Sequence, residues 1–310
     1  MKVIYGLKNL KKPIKSSIAT IGVFDGVHIA HKEILRRVVE RSRKLGLPSV
    51  AVTFYPHPLR VLNQNARILS LVSLKHRVEL IRDSGIDYLI VVNFTKSIAD
   101  MPADMFVKNI LIKKMGLREI YVGEDFFFGK GAKAGVNALK ILSRDLGFRS
   151  VTVKPIKAGG KVVSSTLIRR LIMKGDIVTA SRYLGRPVSI LGTVVGGDRR
   201  GRQFGYPTAN IDPHHEAIPP SGVYAVRAKF EGRNFKGVLN IGKRPTFHRD
   251  SIESDPVIEV HLFDFNEDIY GKDMEIIFIK KLRDESAFKD KDHLIEQIRK
   301  DIKTARALLL

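Results

Sequence analysis

The sequence predicts a two-domain protein: an α/β domain with a mostly parallel sheet over residues 1–186, then a small antiparallel barrel or sandwich over residues 187–310, closed by one helix. Three observations predict this. Apolar runs alternate with amphipathic segments throughout the first half. Gly185-Arg186-Pro187 gives a helix stop, and the pattern beyond it switches to short strands separated by turn residues. Charge divides at the same place: residues 1–186 hold 34 Lys and Arg against 13 Asp and Glu, whereas residues 187–310 hold 20 against 19.

In the first half, Ser49–Phe54, Tyr88–Phe94, Ile120–Val122 and Val151–Val153 read as buried strands. Leu74–Arg82, Ala103–Met115 and Val136–Leu146 carry apolar residues at helical spacing, and Gly175–Leu184 reads as a short helix. Such alternation implies helices on both faces of the sheet and ligands at the carboxyl ends of its strands. In the second half, Val188–Val195, Gly222–Phe230, Phe235–Ile241, Val257–Phe263 and Met274–Ile279 read as strands, and Lys291–Leu308 as the final helix.

A length of 310 residues allows two ordinary cores, and 44% apolar with 28% charged residues is a globular composition. No stretch approaches a membrane span, and no signal-peptide core stands near the start. The absence of cysteine excludes disulfides, thiolate metal sites and a cysteine nucleophile, and fits a reducing cytoplasm. The net charge of +22 points to polyanionic partners, either nucleic acid or nucleotides and pyrophosphate gathered in a cleft. Most of these lysines and arginines read as solvated helix faces.

Ala19-Thr20-Ile21 enters Gly22-Val23-Phe24-Asp25-Gly26-Val27-His28-Ile29-Ala30-His31, and a helical pattern follows. Unpaired amides and the positive end of the helix dipole make such a turn a seat for phosphate. His28 and His31, three apart, share one face of the first turn and can donate hydrogen bonds to an anion, or simply fill a polar turn. Tyr55-Pro56-His57-Pro58 is a rigid turn that aims His57 outward. In Gly123-Glu124-Asp125-Phe126-Phe127-Phe128-Gly129 at least two phenylalanines are expected to be buried. Lys130–Gly135 reads as a flexible basic loop, either a lid over phosphates or plain surface. Ser164 or Ser165 can cap the helix that carries Thr166 and Arg169; Arg170 reads as solvated.

The glycines of Gly192-Thr193-Val194-Val195-Gly196-Gly197-Asp198-Arg199-Arg200-Gly201-Arg202-Gln203-Phe204-Gly205-Tyr206-Pro207-Thr208-Ala209-Asn210 allow backbone to approach a phosphate chain. Thr208 can place a hydroxyl on Mg²⁺, and Asn210 can add an oxygen ligand or orient an alcohol; a turn with an Asx cap is the plainer reading. Glu259 alternates to the face opposite its apolar neighbours, as any exposed strand residue does, and His261 reads as surface.

The string from Gly22 to His31, the Pro56-His57-Pro58 element and Ser164-Ser165-Thr166-Leu167-Ile168-Arg169 resemble the nucleotidyltransferase half of the prokaryotic bifunctional riboflavin kinase/FAD synthetases. Gly192–Asn210, with Gly237-Val238-Leu239-Asn240-Ile241-Gly242 and Arg244-Pro245-Thr246, resembles their riboflavin kinase domain over its whole length. The resemblance implies a Rossmann-like domain followed by a Greek-key β-barrel. It also implies ATP and Mg²⁺ as cofactors, riboflavin and FMN as substrates, and FAD as product.

By the same resemblance, His28, His31 and Arg169 would serve adenylyl transfer, and Glu259 would be the base for the flavin 5′-hydroxyl. Gly22, Phe24, Asp25, Gly26, His57, Asp125, Ser164, Ser165 and Thr166 would bind in the first site. Gly192, Gly197, Gly201, Arg202, Gly205, Thr208, Asn210 and Arg283 would bind in the second, with Thr208 and Asn210 toward the metal. The chain departs from the family pattern at Ala30, Tyr55 and Phe127, where glycine, an acidic residue and arginine are usual, and at Ser286-Ala287, where a lysine is usual. Two other readings stand beside this one: a riboflavin kinase whose nucleotidyltransferase half is impaired, and a nucleic-acid-binding protein that uses the basic half. The expected partners are small molecules, without membrane and with nucleic acid ranked low; the sequence sets no oligomeric state.

Overall fold

A computed structural model describes residues 1–63, 69–197, 205–214, 216–242 and 256–310. The chain packs as two compact units, Met1–Leu69 with Leu74–Ser165, and Ser70–Ser73 with Thr166–Leu310. The boundary expected at Arg186/Pro187 falls just after a helix, Ile177–Leu184, that Gly185 closes in the left-handed conformation at φ 63°.

Among the described residues, the first unit holds a six-stranded sheet with every neighbouring pair parallel. Its strands are β1 (Lys2–Tyr5), β2 (Ser17–Ile21), β3 (Ser49–Tyr55), β4 (Tyr88–Asn93), β5 (Leu117–Gly123) and β6 (Arg149–Val153), in the order β1-β4-β3-β2-β5-β6. Alternate strand residues feed two cores, one on each face. Ile18, Ala51, Leu89 and Tyr121 pack with α1 (Ile29–Leu45) and α3 (Leu74–Arg82). Ala19, Val50, Ile90 and Ile120 pack with Phe106, Ile110 and Leu139 of the helices on the other face. Strand order reverses between β2 and β5, so the loops leaving these two strands flank the switch point where parallel sheets bind ligands.

Three local expectations need correction. Ala103–Met115 is not one α-helix: an α-turn, Ala103–Phe106, runs into a π-helix, Val107–Ile112, in which Lys113 N–H reaches back to Lys108 O. The wider turn sets Phe106, Val107, Ile110 and Leu111 together in the core. Lys130–Gly135 is not a loose loop, because Phe128 and Ala134 exchange both backbone hydrogen bonds at 2.9 and 3.2 Å. Ala209–Asp212 is a strand rather than a turn.

In the second unit, β9 (Ser189–Val195), β10 (Ala209–Asp212), β11 (Gly222–Phe230), β12 (Arg233–Gly242), β13 (Val257–Leu262) and β14 (Asp273–Arg283) close a barrel in the order β10-β13-β12-β11-β14-β9. All its pairs are antiparallel, with the non-sequential pairings of a Greek key. The C-terminal helix, Lys291–Leu308, sets Ala305 and Ile302 against Ala225, Val238 and Phe263.

Arg283, expected to touch phosphate or flavin, is instead the clasp for this helix. Its Nε and Nη2 lie 2.9–3.1 Å from the carboxylate of buried Asp301, and its Nη1 donates to Asp284 O and Ser286 Oγ. Both edges of the guanidinium are thus engaged by protein, a geometry that Lys could not reproduce. Removing one member of such a pair strands the other, at about 3 kcal/mol. Asp301→Ala is therefore expected to lower the urea midpoint of the barrel; an unchanged midpoint would contradict the clasp.

Candidate functional site

The loop after β2 turns into α1 through a backbone that side chains resist. Phe24 (φ 52°) and Val27 (φ 40°) both sit in the left-handed region, with Gly26 at φ 81°. Several contacts hold them there. Val27 N–H donates to Phe24 O at 3.1 Å, and Thr53 Oγ1 donates to Val23 O at 2.9 Å. Ser165 Oγ donates to Asp25 O at 2.8 Å, so the two phosphate motifs of the sequence meet at this turn. Ser165 therefore pins the loop rather than capping its own helix through that proton.

His28 is the N-cap of α1; its Nδ1 accepts from His31 N–H at 3.4 Å, which leaves the ring proton on Nε2. The His28 and His31 rings stack at 3.6 Å, and Phe24, itself only 2% exposed, meets His31 edge-on at 5.3 Å. Phe24 is thus a floor beneath the histidines. His31 Nδ1 is buried without a hydrogen-bond partner. Burial, then the neighbouring His28 and Arg77, hold the His31 pKa well below its ordinary value.

Arg77 was missed by motif reasoning. It is 2% exposed on α3, and its Nη1 lies 3.4 Å from Thr53 Oγ1 and 3.3 Å from Phe54 O. The signal lay in its spacing: three after Leu74 and four before Ile81, it shares the apolar face of the helix. A buried cation beside two histidines and a helix N-terminus favours an anion.

Between the two switch-point loops opens a cavity of about 340 Å³. Gly22, Phe24 and His31 line one side, Gly123, Asp125, Phe126, Phe127 and Gly129 another, and Phe54, Phe94, Ile98 and Phe106 the remainder. Asp125 folds its carboxylate over Gly123, where a Cβ would come within 2.8 Å of Oδ1. Phe126 and Phe128 stack at 5.3 Å and pack into the core, as expected for two of the three phenylalanines. His57 is not among the residues lining this cavity: it caps the short helix Pro58–Leu62, its Nδ1 accepting from Leu59 N–H at 3.2 Å. Thr166 and Arg169 follow Ser165 along the helix Ser165–Met173.

On the barrel, strand register sets Glu259 of β13 directly between Asn210 of β10 and Asn240 of β12. Directly paired residues share a face, so a carboxylate stands in a row with two amides. Ile258 and Val260, on either side of Glu259, are buried, whereas Glu259 is half-buried. Asn240 had no assigned role in the sequence; its place opposite Glu259 becomes visible only once strands are paired. Gly197 is required here, because a Cβ would collide with the Asn210 side chain. Gly192 has another reason to be glycine: its Cβ would run into Ile211 and the Asp212 carbonyl of the adjacent strand.

Thr208 lines a second cavity of about 380 Å³, with Pro207, Val260, Glu267, Asp268 and Tyr270. His261 is more than surface: its Nδ1–H donates to Pro207 O at 2.8 Å, fixing the residue before Thr208. Gly205 takes φ 80° at the entry to this segment. Gly201, Arg202, Arg244 and Thr246 lie outside the described residues. Among the described residues no group of three or more His, Cys, Asp or Glu could hold a metal ion, and no helix is long and apolar enough to cross a membrane.

The family model for FAD synthetase matches residues 10–167, and that for riboflavin kinase matches residues 184–309. This chain belongs to the bifunctional riboflavin kinase/FMN adenylyltransferase family. The family's member from Buchnera aphidicola (Schizaphis graminum host) is 36% identical over 99% of this chain and 98% of its own length. That from Escherichia coli K12 is 35% identical over 99% and 97%. A crystal structure described as a macrolide-efflux protein from Streptococcus pneumoniae superposes with a TM-score of 0.85 at 30% identity, covering 99% of each chain. Its shared fold extends over both units, so the family's two-part architecture is present here in full.

The environment of His31 makes a pH prediction. An unfolded histidine takes up its proton near pH 6.5, and the folded ring does so only well below that. The unfolded state then binds more protons as pH falls below about 6.5, so this group's contribution lowers stability in that direction. NMR titration is expected to find the His31 ring neutral at pH 6; protonation at or above pH 6.5 would contradict the buried placement.

Proposed function

We propose that this chain makes FMN and then FAD with ATP at two separate sites, the barrel phosphorylating riboflavin and the α/β domain adenylylating FMN. We assign these activities to residues 187–310 and 1–186. The observation that carries the reading is that each unit has its own cavity beside its own phosphate chemistry: buried histidines at a helix N-terminus in one, a carboxylate between two asparagines in the other.

In the kinase step, Glu259 takes the proton from the riboflavin 5′-hydroxyl as that oxygen attacks the γ-phosphorus of ATP. Asn210 and Asn240, its partners in register, orient the alcohol and the carboxylate. Thr208 and Asn210 offer neutral oxygens, too few to hold a bare ion, so magnesium arrives with the nucleotide and neutralises phosphate charge there. In the adenylylation step, an FMN phosphate oxygen attacks the α-phosphorus of ATP, the α–β bridging bond breaks and pyrophosphate leaves. Positioning and charge compensation suffice for this step. The amides of residues 24–28, His28 and His31 hold the phosphates. Ser164, Thr166 and Arg169 serve the leaving pyrophosphate by family resemblance, whereas Ser165 acts by holding Asp25.

A neutral His31 is suited to this role, since it donates one hydrogen bond without needing to titrate during turnover. The cysteine-free composition supports a reducing compartment such as the cytoplasm.

The two sites are tested by reciprocal variants. Glu259→Ala is expected to lower riboflavin phosphorylation by about a hundredfold or more while FMN-to-FAD conversion stays near wild type. His31→Ala is expected to do the reverse. Loss of both activities in either folded variant, or accumulation of FMN with no FAD by the wild-type chain, would contradict the division.

A further inference from the structure

We propose that Phe127 is the stacking wall for the isoalloxazine ring of FMN in the first unit and sets its selectivity for flavin. The inference rests on the adenylylation reading above and names a residue that this reading leaves without a role. Among the described residues Phe127 is the one phenylalanine with a largely exposed side chain, at 60%, while its neighbours Phe126 and Phe128 pack inward. An exposed phenyl ring at the wall of an aromatic cavity forgoes burial that a ligand can restore.

The ring is held in place. Phe128 and Ala134 close the hairpin that carries it, and Gly135 lies directly behind it, a Cβ there coming within 3.2 Å of Phe127 Cε1. One side of the ring is therefore backed by main chain and another is left open.

The cavity has two chemically distinct ends. His31 and the turn at Gly22 mark the phosphate side, and Phe54, Phe94, Ile98 and Phe106 supply hydrocarbon elsewhere. Flavin has matching ends: a phosphate on a ribityl chain, and a planar tricycle whose dimethylbenzene edge has no hydrogen-bonding group. Adenine, by contrast, presents hydrogen-bonding atoms around most of its rim and loses them against such a wall. Arginine is usual in the family where Phe127 stands, so this chain has exchanged a cation for a neutral π-face. Stacking then replaces charge as the means of holding the ring.

The test uses the full-length enzyme, with FAD formation followed while FMN and ATP are varied in turn. Phe127→Ala is expected to raise KM for FMN about tenfold, the effect of losing one ring-on-ring stack. KM for ATP and kcat should stay within about twofold, and Phe127→Tyr should retain wild-type values. Riboflavin phosphorylation by the same variants reports whether the chain is folded. An unchanged KM for FMN would overturn the inference, as would a rise in KM for ATP instead, or a fall in kcat alone. A wild-type chain that forms no FAD would sink the adenylylation reading together with this one; a wild type that forms FAD with an indifferent Phe127 sinks only the ring's role.

Discussion

The first unit depends on one strained turn. Phe24 and Val27 are held at positive φ, where a β-branched residue such as Val27 is especially disfavoured. Residues in such regions cost about 1–3 kcal/mol each and persist only where their surroundings overdetermine them. Here the surroundings are specific: Thr53 on the neighbouring strand holds Val23, Ser165 holds Asp25, and the Phe24 ring is locked into the core. The turn brings His28 to the helix N-cap and His31 over Phe24. Without it, the two histidines would be a surface pair with ordinary titration. With it, they form a neutral, desolvated pair beside a buried arginine.

The barrel solves a comparable problem by register instead of strain. Two asparagines and a glutamate far apart in sequence become adjacent because β13 lies between β10 and β12. A one-residue slip in either pairing would send Glu259 to the opposite face. Buried Ile258 and Val260 fix the alternation, and the collision that any Cβ at Gly197 would cause keeps the Asn210 side chain in its place. Much of the basic character of the first half has a structural outlet. Glu33 is held down to about 2 by its hydrogen bonds to Arg36 and then Arg37, and Arg41 pairs with Glu119. These pairs are what solvated helix faces look like, and they weaken the case for a nucleic-acid surface.

Much of the architecture was legible because its signals are local. The helix Leu74–Arg82 and the strand Gly222–Phe230 follow from periodicity alone, and the alternating order of elements foretold the parallel sheet and its ligand edge. What escaped depends on contacts between distant residues. The π-helix after Ala103 answers to core packing, and the short strand at Ala209 to two neighbours contributed from elsewhere in the chain. Arg283 could be placed near the barrel's end by motif, but its partner Asp301 lies on another element, so its clasping role was invisible. The same holds for His57, whose capping geometry is set by the helix it begins, and for Asn240, which has no partner until the strands pair.

The central claim is that one chain builds two nucleotide sites by unrelated means. Isothermal titration of the full chain with magnesium and a non-hydrolysable ATP analogue tests it most directly. Two equivalents per chain are predicted, with one equivalent lost when the turn's Val27 is replaced by Pro. A single equivalent for the intact chain would contradict the account.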